Sequence, residues 1–374
     1  MRKPPEAALP EVVLPAALSP AAVSPESVVG EGVSSEPAPE RAIVAFGGGT
    51  GMACLLSGLK SFTRKLTAIV TVTDNGGSSG RLRREFDMVP PGDIRNCLVA
   101  LADGEPLLGE LLQYRFDESM LSGHSLGNLL ITALTRITGS FDKAVRELNR
   151  LLVVRGKVLP ATGSKVSLIA HHPDGTKTTG EVQVVGSGKP IERIEMRPRV
   201  GRAAPDVIAA IREADLIIFG PGSLFTSVIP NLLVPGIREA VRENPRDKIY
   251  VANIMTQPGE TIGLDLAAHL RALETHAGGE FITGLVVHDG PIPAEMLARY
   301  AHENATPVVG LEAVRKRPEI KIASGDLLDP NSTVLRHQSA RLARNIIENF
   351  APELKRAGVS APALMAGEPA SARK

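Results

Sequence analysis

Gly47, Gly48, Gly49, Thr50 and Gly51 follow directly on the apolar run 42–46, and four glycines around one hydroxyl suit a strand that hands backbone amides to a phosphate. Glycine accepts the positive φ of a tight strand-to-helix turn. Its missing Cβ also lets an anion reach main-chain N–H groups at a helix N-terminus, and residues 52–59 have helix character. A second loop of this kind closes the next apolar run, 66–73, and reads Asp74, Asn75, Gly76, Gly77, Ser78, Ser79, Gly80, Arg81. Here glycines free amides, serines add hydroxyls, and Arg81 brings a guanidinium fork matched to phosphate oxygens. Gly48, Gly49, Thr50 and Gly51 together with Gly77, Ser78 and Ser79 are therefore expected to grip one pyrophosphate.

Neither common phosphate fingerprint is matched. Met52 stands where G-x-G-x-x-G needs its third glycine, and no lysine follows as a P-loop requires. Asp74 comes 23 positions after Gly51, where dinucleotide folds place an acid on a ribose hydroxyl. It is also the one candidate metal carboxylate, because its neighbour Asn75 carries no charge. His124 and Asn128 bracket the start of a strongly apolar helix and are candidates for binding, His124 also for proton transfer. After the apolar run 216–219, Gly220, Gly222 and Ser223 repeat the strand-then-glycine pattern, with Thr226, Ser227 and Asn231 behind them. Gly222, Ser223 and Asn231 are assigned to the far wall of the crevice, and residues 253–260 form another polar strand end. Asp93 reads as a helix N-cap and His171-His172 as a solvent-facing turn pair. No G-x-S-x-G, H-E-x-x-H or paired-cysteine pattern occurs, so spacing alone assigns neither a catalytic apparatus nor a metal cluster.

These loops need a scaffold, and the chain supplies one. From residue 41, short β-branched runs (42–46, 67–73, 215–219, 248–252, 283–288) alternate with helix-length amphipathic segments, as in parallel βαβ units. Residues 94–103, 107–116, 126–137 and 142–151 are expected to be helical, an insertion spanning about 90–152. The stretch 165–185 reads as a hairpin around the His-Pro-Asp-Gly turn at 172–175. With 191–196 it predicts a small antiparallel β-rich subdomain at about 160–200. Helices are expected at 205–214 and 339–350. Residues 1–40, rich in Ala, Pro, Glu, Val and Ser, read as a disordered tail, and 351–374 as a frayed end.

Composition narrows the partners. Aromatics make up 3% of the 374 residues, Trp is absent and the formal net charge is +1, so a base-stacking or polyanion-binding surface is poorly supplied and no nucleic acid is expected. Two cysteines, Cys54 and Cys97, are too few for a disulfide framework and suit a reducing cytoplasm. Glu6, Glu11, Pro15 and Pro20 interrupt any signal-peptide core, and no run is long enough for membrane insertion.

Five motifs in one order give the chain a family likeness: Gly-Gly-Gly-Thr-Gly at 47–51, Thr-Asp-Asn-Gly-Gly-Ser-Ser-Gly-Arg-Leu-Arg at 73–83, Pro-Pro-Gly-Asp-Ile-Arg-Asn-Cys-Leu at 90–98, His-Ser-Leu-Gly-Asn at 124–128 and Gly-Pro-Gly-Ser-Leu-Phe-Thr-Ser at 220–227. Over residues 41–350 it resembles the gluconeogenesis factor (YvcK-like) proteins. That resemblance implies a Rossmann-like α/β fold, a mostly parallel sheet with helices on both faces, related to the phospholactate transferase CofD. It also implies a cytoplasmic protein that binds a UDP-sugar, notably UDP-N-acetylglucosamine, and affects cell shape and wall synthesis during gluconeogenic growth, with regulatory or wall-synthesis proteins as partners. An NAD-like dinucleotide is the other ligand compatible with the loops, a homo-oligomer is compatible with the size, and no cofactor is required. The transferase relative implies the rival activity, a Mg²⁺-dependent transfer from a nucleotide diphosphate. Against that relative, Asp74-Asn75 stands in place of an acidic pair and removes one metal carboxylate.

Overall fold

The strand carrying the first glycine loop, β1 (Ile43–Gly47), lies buried at the centre of a seven-stranded sheet. The computed structural model describes residues 40–103, 106–198 and 202–356. The tail expected to be disordered lies outside them up to residue 39, as does the C-terminal segment from 357 onward. β1 pairs on one side with β2 (Leu66–Val70), which pairs with β3 (Lys157–Pro160). After three further strands, β4 (Ser167–His171), β5 (Lys177–Thr179) and β6 (Arg193–Arg197), the chain returns to the other side of β1 as β7 (Leu216–Phe219), followed outward by β8 (Asp247–Val251), β9 (Gly284–His288) and β10 (Lys321–Gly325). Every pairing is parallel, in the order β3-β2-β1-β7-β8-β9-β10. The direction of winding reverses between β1 and β7, and a crevice opens at such a switch point.

Alternation along β1 divides the core. Ile43 and Ala45 pack with helices Gly49–Leu59, Gly92–Leu101 and Ser339–Phe350, whereas Val44 and Phe46 face Val207, Ile211, Leu270 and Leu273 on the other side. The Phe46 and Phe219 rings stack with centroids 5.0 Å apart, locking β1 against β7. Helices thus cover both faces, as a parallel sheet with buried apolar strands demands.

The insertion between β2 and β3 holds helices Gly77–Glu85, Gly92–Leu101, Pro106–Gln113, Leu126–Thr138 and Phe141–Leu151. It therefore begins at the second glycine loop itself. After β3 comes an antiparallel sheet in the order β5-β4-β6: β4 (Ser167–His171), β5 (Lys177–Thr179) and β6 (Arg193–Arg197). The hairpin is shorter than the sequence suggests. Gly180, at φ +96°, ends β5, and residues Glu181–Gly186 form a short helix instead of strand.

Other expectations also need correction. His171 and His172 are buried, at 8% and 2% exposure; His172 bonds the Pro190 carbonyl oxygen and the Thr178 hydroxyl, while His171 accepts from Arg193. The turn itself lies at 172–175 as expected, with Gly175 N–H donating to the His172 carbonyl, but His171 is still in β4 and both rings fold back onto neighbouring residues of the subdomain instead of into solvent. Asp93 is not an N-cap: Pro91 holds that position and the Asp93 side chain turns toward β1. Ala351 does not start a frayed end, since Pro352–Arg356 continue as a 3₁₀ turn with Ala351 and Leu354 buried against the core.

Candidate functional site

A crevice of about 780 Å³ opens at the C-terminal ends of β1, β7 and β8. Gly48, Gly49, Thr50 and Gly51 line one side and Pro221, Gly222 and Ser223 the other. The paired strands Phe46 and Phe219 are in register, so both loops leave the sheet at one height. They pass closely: a methyl placed on Gly51 would stand 2.8 Å from the Pro221 carbonyl oxygen, and one on Gly222 3.5 Å from that of Gly48. Only glycine permits this approach. Gly48 caps helix Gly49–Leu59 with no side chain of its own; Asp93 takes the Gly49 amide, and the Thr50 and Gly51 amides of the first turn remain at the crevice with the positive end of the helix dipole.

The β7 loop is braced from β8. Asn253 accepts from the Gly222 amide at 3.2 Å through Oδ1 and donates to the Gly222 carbonyl at 3.0 Å through Nδ2, gripping one residue at both of its backbone polar atoms. Asn253 Nδ2 also donates to Gln257, which in turn donates to the Ser223 hydroxyl. These two amides give the polar strand end at 253–260 a role the sequence reading left blank.

Carboxyl groups line the inner wall. Asp93 lies under Gly48 and accepts from the Gly49 amide; burial and the charge of Asp74 raise its pKa to about 7. Glu181, from the short helix after β5, accepts from the Thr73 hydroxyl and is raised to about 9 by burial, then by Asp74, Asp93 and Glu260. Glu260 is raised by burial, although it accepts from the Phe225 amide and the Thr226 hydroxyl. At neutral pH Glu181 therefore carries its proton and Asp93 shares one, so the wall holds far less negative charge than its composition suggests. A protonated carboxyl donates to an anion where a carboxylate would repel it.

The second glycine loop is placed differently from the first. Among residues 74–81, none lines the crevice. Asp74 folds onto its own loop, accepting from the Gly76 amide at 2.8 Å, and stands behind Asp93 near Gly92. Asn75 turns to the small subdomain, donating to Gln183 and accepting from the Val182 amide. Gly77 has φ +45° and opens helix Gly77–Glu85. Ser78 and Ser79 are buried, with Ser79 against Gly92. Arg81 reaches the Ser122 carbonyl in the insertion and does not approach the first loop.

Ser78, His124 and Asn128 do come together. Asn128 Nδ2 donates to Ser78 Oγ at 3.0 Å, so the hydroxyl proton is free to go to His124 Nδ1, 2.9 Å away. In that arrangement His124 is neutral with its proton on Nε2, in keeping with a pKa lowered by burial and by Arg81. Asn128 Oδ1 is left unpartnered. Asn231 is fully buried and donates to the Ser227 and Val228 carbonyls, so it braces the β7 loop from within and is not part of the crevice wall.

Sequence reasoning missed the outer rim, where Tyr300, Glu303, Arg336 and His337 come from chain far beyond β7. His337 is 6% exposed, its Nε2 has no partner, and burial lowers its pKa to about 4. No short motif marks these residues. Their positions, Tyr300 and Glu303 after β9 and Arg336 and His337 after β10, are the only signal, visible once the strand order is known. Among the described residues, no three His, Cys, Asp or Glu side chains converge to hold a metal, and no helix is long and apolar enough to cross a membrane.

Sheet order, switch-point crevice and glycine walls together define a Rossmann-like α/β protein. The family model of 2-phospho-L-lactate transferase CofD matches residues 43–328, all seven strands of the parallel sheet and the crevice lining up to Glu303. The gluconeogenesis factor of Halalkalibacterium halodurans is 46% identical over 310 residues, covering 83% of this chain and 96% of that protein. The gluconeogenesis factor of Bacillus subtilis is 46% identical over 307 residues, 82% and 97% of the two chains. A crystal structure of a UPF0052 family member from Bacillus halodurans superposes with a TM-score of 0.79 at 46% identity, covering 82% of this chain and 99% of that one. The chain belongs to the CofD family and, within it, to the gluconeogenesis factors.

Proposed function

We propose that this protein is a cytoplasmic regulator that binds a nucleotide-sugar, with UDP-N-acetylglucosamine the foremost candidate, and acts on cell shape and wall synthesis during gluconeogenic growth. One observation carries the binding part: two glycine loops pass within contact of each other at the switch point, with the Thr50 and Gly51 first-turn amides at a polar crevice of nucleotide-sugar size. The diphosphate sits at Gly48, Gly49, Thr50 and Gly51 opposite Gly222 and Ser223. Protonated Glu181 supplies a hydrogen bond, Asn253 holds the Gly222 loop in place, and Arg336 at the rim supplies positive charge. The test is a thermal-shift panel of UDP-sugars, NAD and GDP. At a ligand concentration a hundredfold above Kd, the true ligand adds about 2.7 kcal/mol of stability. Stabilisation by NAD or GDP with none by UDP-sugars overturns the assignment.

A second reading, a CofD-like transfer from a nucleotide diphosphate, is favoured by the side-by-side carboxyls of Asp74 and Asp93, since Asp93 offers the carboxylate that Asn75 lacks. Asp93, which lines the crevice, is the carboxylate that would meet a Mg²⁺ held also by the substrate's phosphates, with the charge of Asp74 behind it. The ion would neutralise diphosphate charge. Product formation that disappears in Asp74→Asn supports this reading, and turnover unchanged by the substitution removes it.

A further inference from the structure

The insertion presents a surface that the crevice does not use. Helix Pro106–Gln113 carries one ionisable residue, Glu110, and helix Leu126–Thr138 one, Arg136. Both helices turn large apolar side chains outward: Leu107 is 58% exposed and Leu111 43%, with Leu130 at 36% and Ile137 at 79%. Spacings of four and seven residues keep each pair on one helix face. The connection between the helices adds Tyr114 and Met120, which is 94% exposed. These elements are joined: Leu126 N–H donates to the Tyr114 carbonyl, Gly123 N–H to that of Phe116, and the Tyr114 ring meets Phe116 edge-on at 5.2 Å.

We propose that this two-helix face of the insertion is an isologous interface that pairs two copies of the chain. The area supports a second copy. Counting about 100 Å² for each of these six large side chains, the face offers roughly 600 Å², the lower end of the area per partner of a stable interface and the upper end of the largest patch on a typical monomer. Its make-up is that of an interface core, with Leu, Ile, Met and Tyr. Its charges, Glu110 and Arg136 on the helices and exposed Arg115, Asp117 and Glu118 on the connection, are of mixed sign, so a two-fold arrangement can set opposite charges against each other. A lipid surface is the less suitable occupant, because membrane-bound amphipathic helices carry lysines and arginines beside the apolar stripe and these two helices hold a single arginine.

Sedimentation velocity of the full chain at micromolar concentration tests the proposal. The expected mass is twice 39.5 kDa. Met120→Glu cannot disturb the core at its exposure and should weaken self-association at least tenfold. Leu111→Glu combined with Ile137→Glu should give a monomer with an unchanged thermal midpoint. A wild-type chain that is monomeric at tens of micromolar overturns the proposal. So does a dimer indifferent to Met120→Glu, or a monomer that binds neutral phosphatidylcholine vesicles through these residues.

Discussion

Two cavities of nearly equal size open at opposite ends of the same strands, about 780 Å³ at the C-terminal ends and about 810 Å³ at the N-terminal ends. The second is lined by Arg64, Lys65, Arg146, Arg150 and Lys157, and side-chain charge alone would make it the better anion site. Much of that charge is committed or solvated. Arg146 pairs with Asp206 at 2.8 Å, Arg150 with Glu147, and the remaining cations stand in water, where a charge pair is weak. The C-terminal crevice instead offers fixed backbone dipoles that cost nothing to organise when the ligand arrives. Fixed geometry, more than counted charge, separates a site from a groove.

Glycine substitutions at the two ends give the sharpest contrast. Gly51→Val places side-chain atoms against the Pro221 carbonyl and should weaken nucleotide-sugar binding more than a hundredfold, about 2.7 kcal/mol, by calorimetry. Gly156 lines the opposite cavity at φ +109°, and a Cβ there would lie 2.0 Å from the Leu66 carbonyl oxygen. Gly156→Ala should lower the thermal midpoint strongly while the folded fraction keeps its Kd. Equal loss of affinity in both variants would erase the distinction. Next in size is Asn253→Ala, which leaves the Gly222 amide and carbonyl without their partner; a loss of about 1–3 kcal/mol is expected in binding, with a smaller loss of stability.

The crevice should also be acid-favoured. Glu181 holds its proton to about pH 9 when folded but loses it near 4.5 when unfolded. Its contribution to stability is therefore full below about pH 4.5 and declines as pH rises toward 9. A diphosphate adds negative charge, so binding takes up protons and affinity falls several-fold between pH 7 and 9. Glu181→Gln keeps a neutral donor and should flatten both slopes. Binding titrations at three pH values settle the matter, and an unchanged slope in the variant would clear Glu181 of any part.

How far the sequence foretells this arrangement differs by element. The strands β1, β2, β7, β8 and β9 are legible because each is a continuous apolar run ending at a turn signal. β3 and β10 are not: Lys-Val-Leu-Pro is four residues ending in proline, and Lys-Ile-Ala-Ser-Gly is half polar, as edge strands are. The loops at 47–51 and 220–223 are legible as glycine turns, yet nothing local tells which loop faces which. The second glycine loop is the instructive case. Its serines and arginine look like phosphate ligands, and the fold uses them to anchor the insertion, with Ser78 on His124 and Asn128 and Arg81 on Ser122. Glu181 stayed hidden because one positive-φ glycine turned an expected strand into a helix.

The smallest expected effect tests the comparison from its other side. Arg64 and Lys157 are exposed at the N-terminal cavity, and reversing both with Arg64→Glu and Lys157→Glu changes the local charge by about four units while leaving the crevice loops untouched. The strands β1 and β2 lie between the two ends, roughly 15 Å of buried chain, beyond the screening length at physiological salt. Nucleotide-sugar Kd should therefore move less than twofold in calorimetry at 0.15 M salt, an ionic strength at which the Debye length is about 8 Å. A tenfold loss would mean that the ligand's charge is read by the basic groove, and that the amides at Gly48, Gly49, Thr50 and Gly51 are a turn and nothing more.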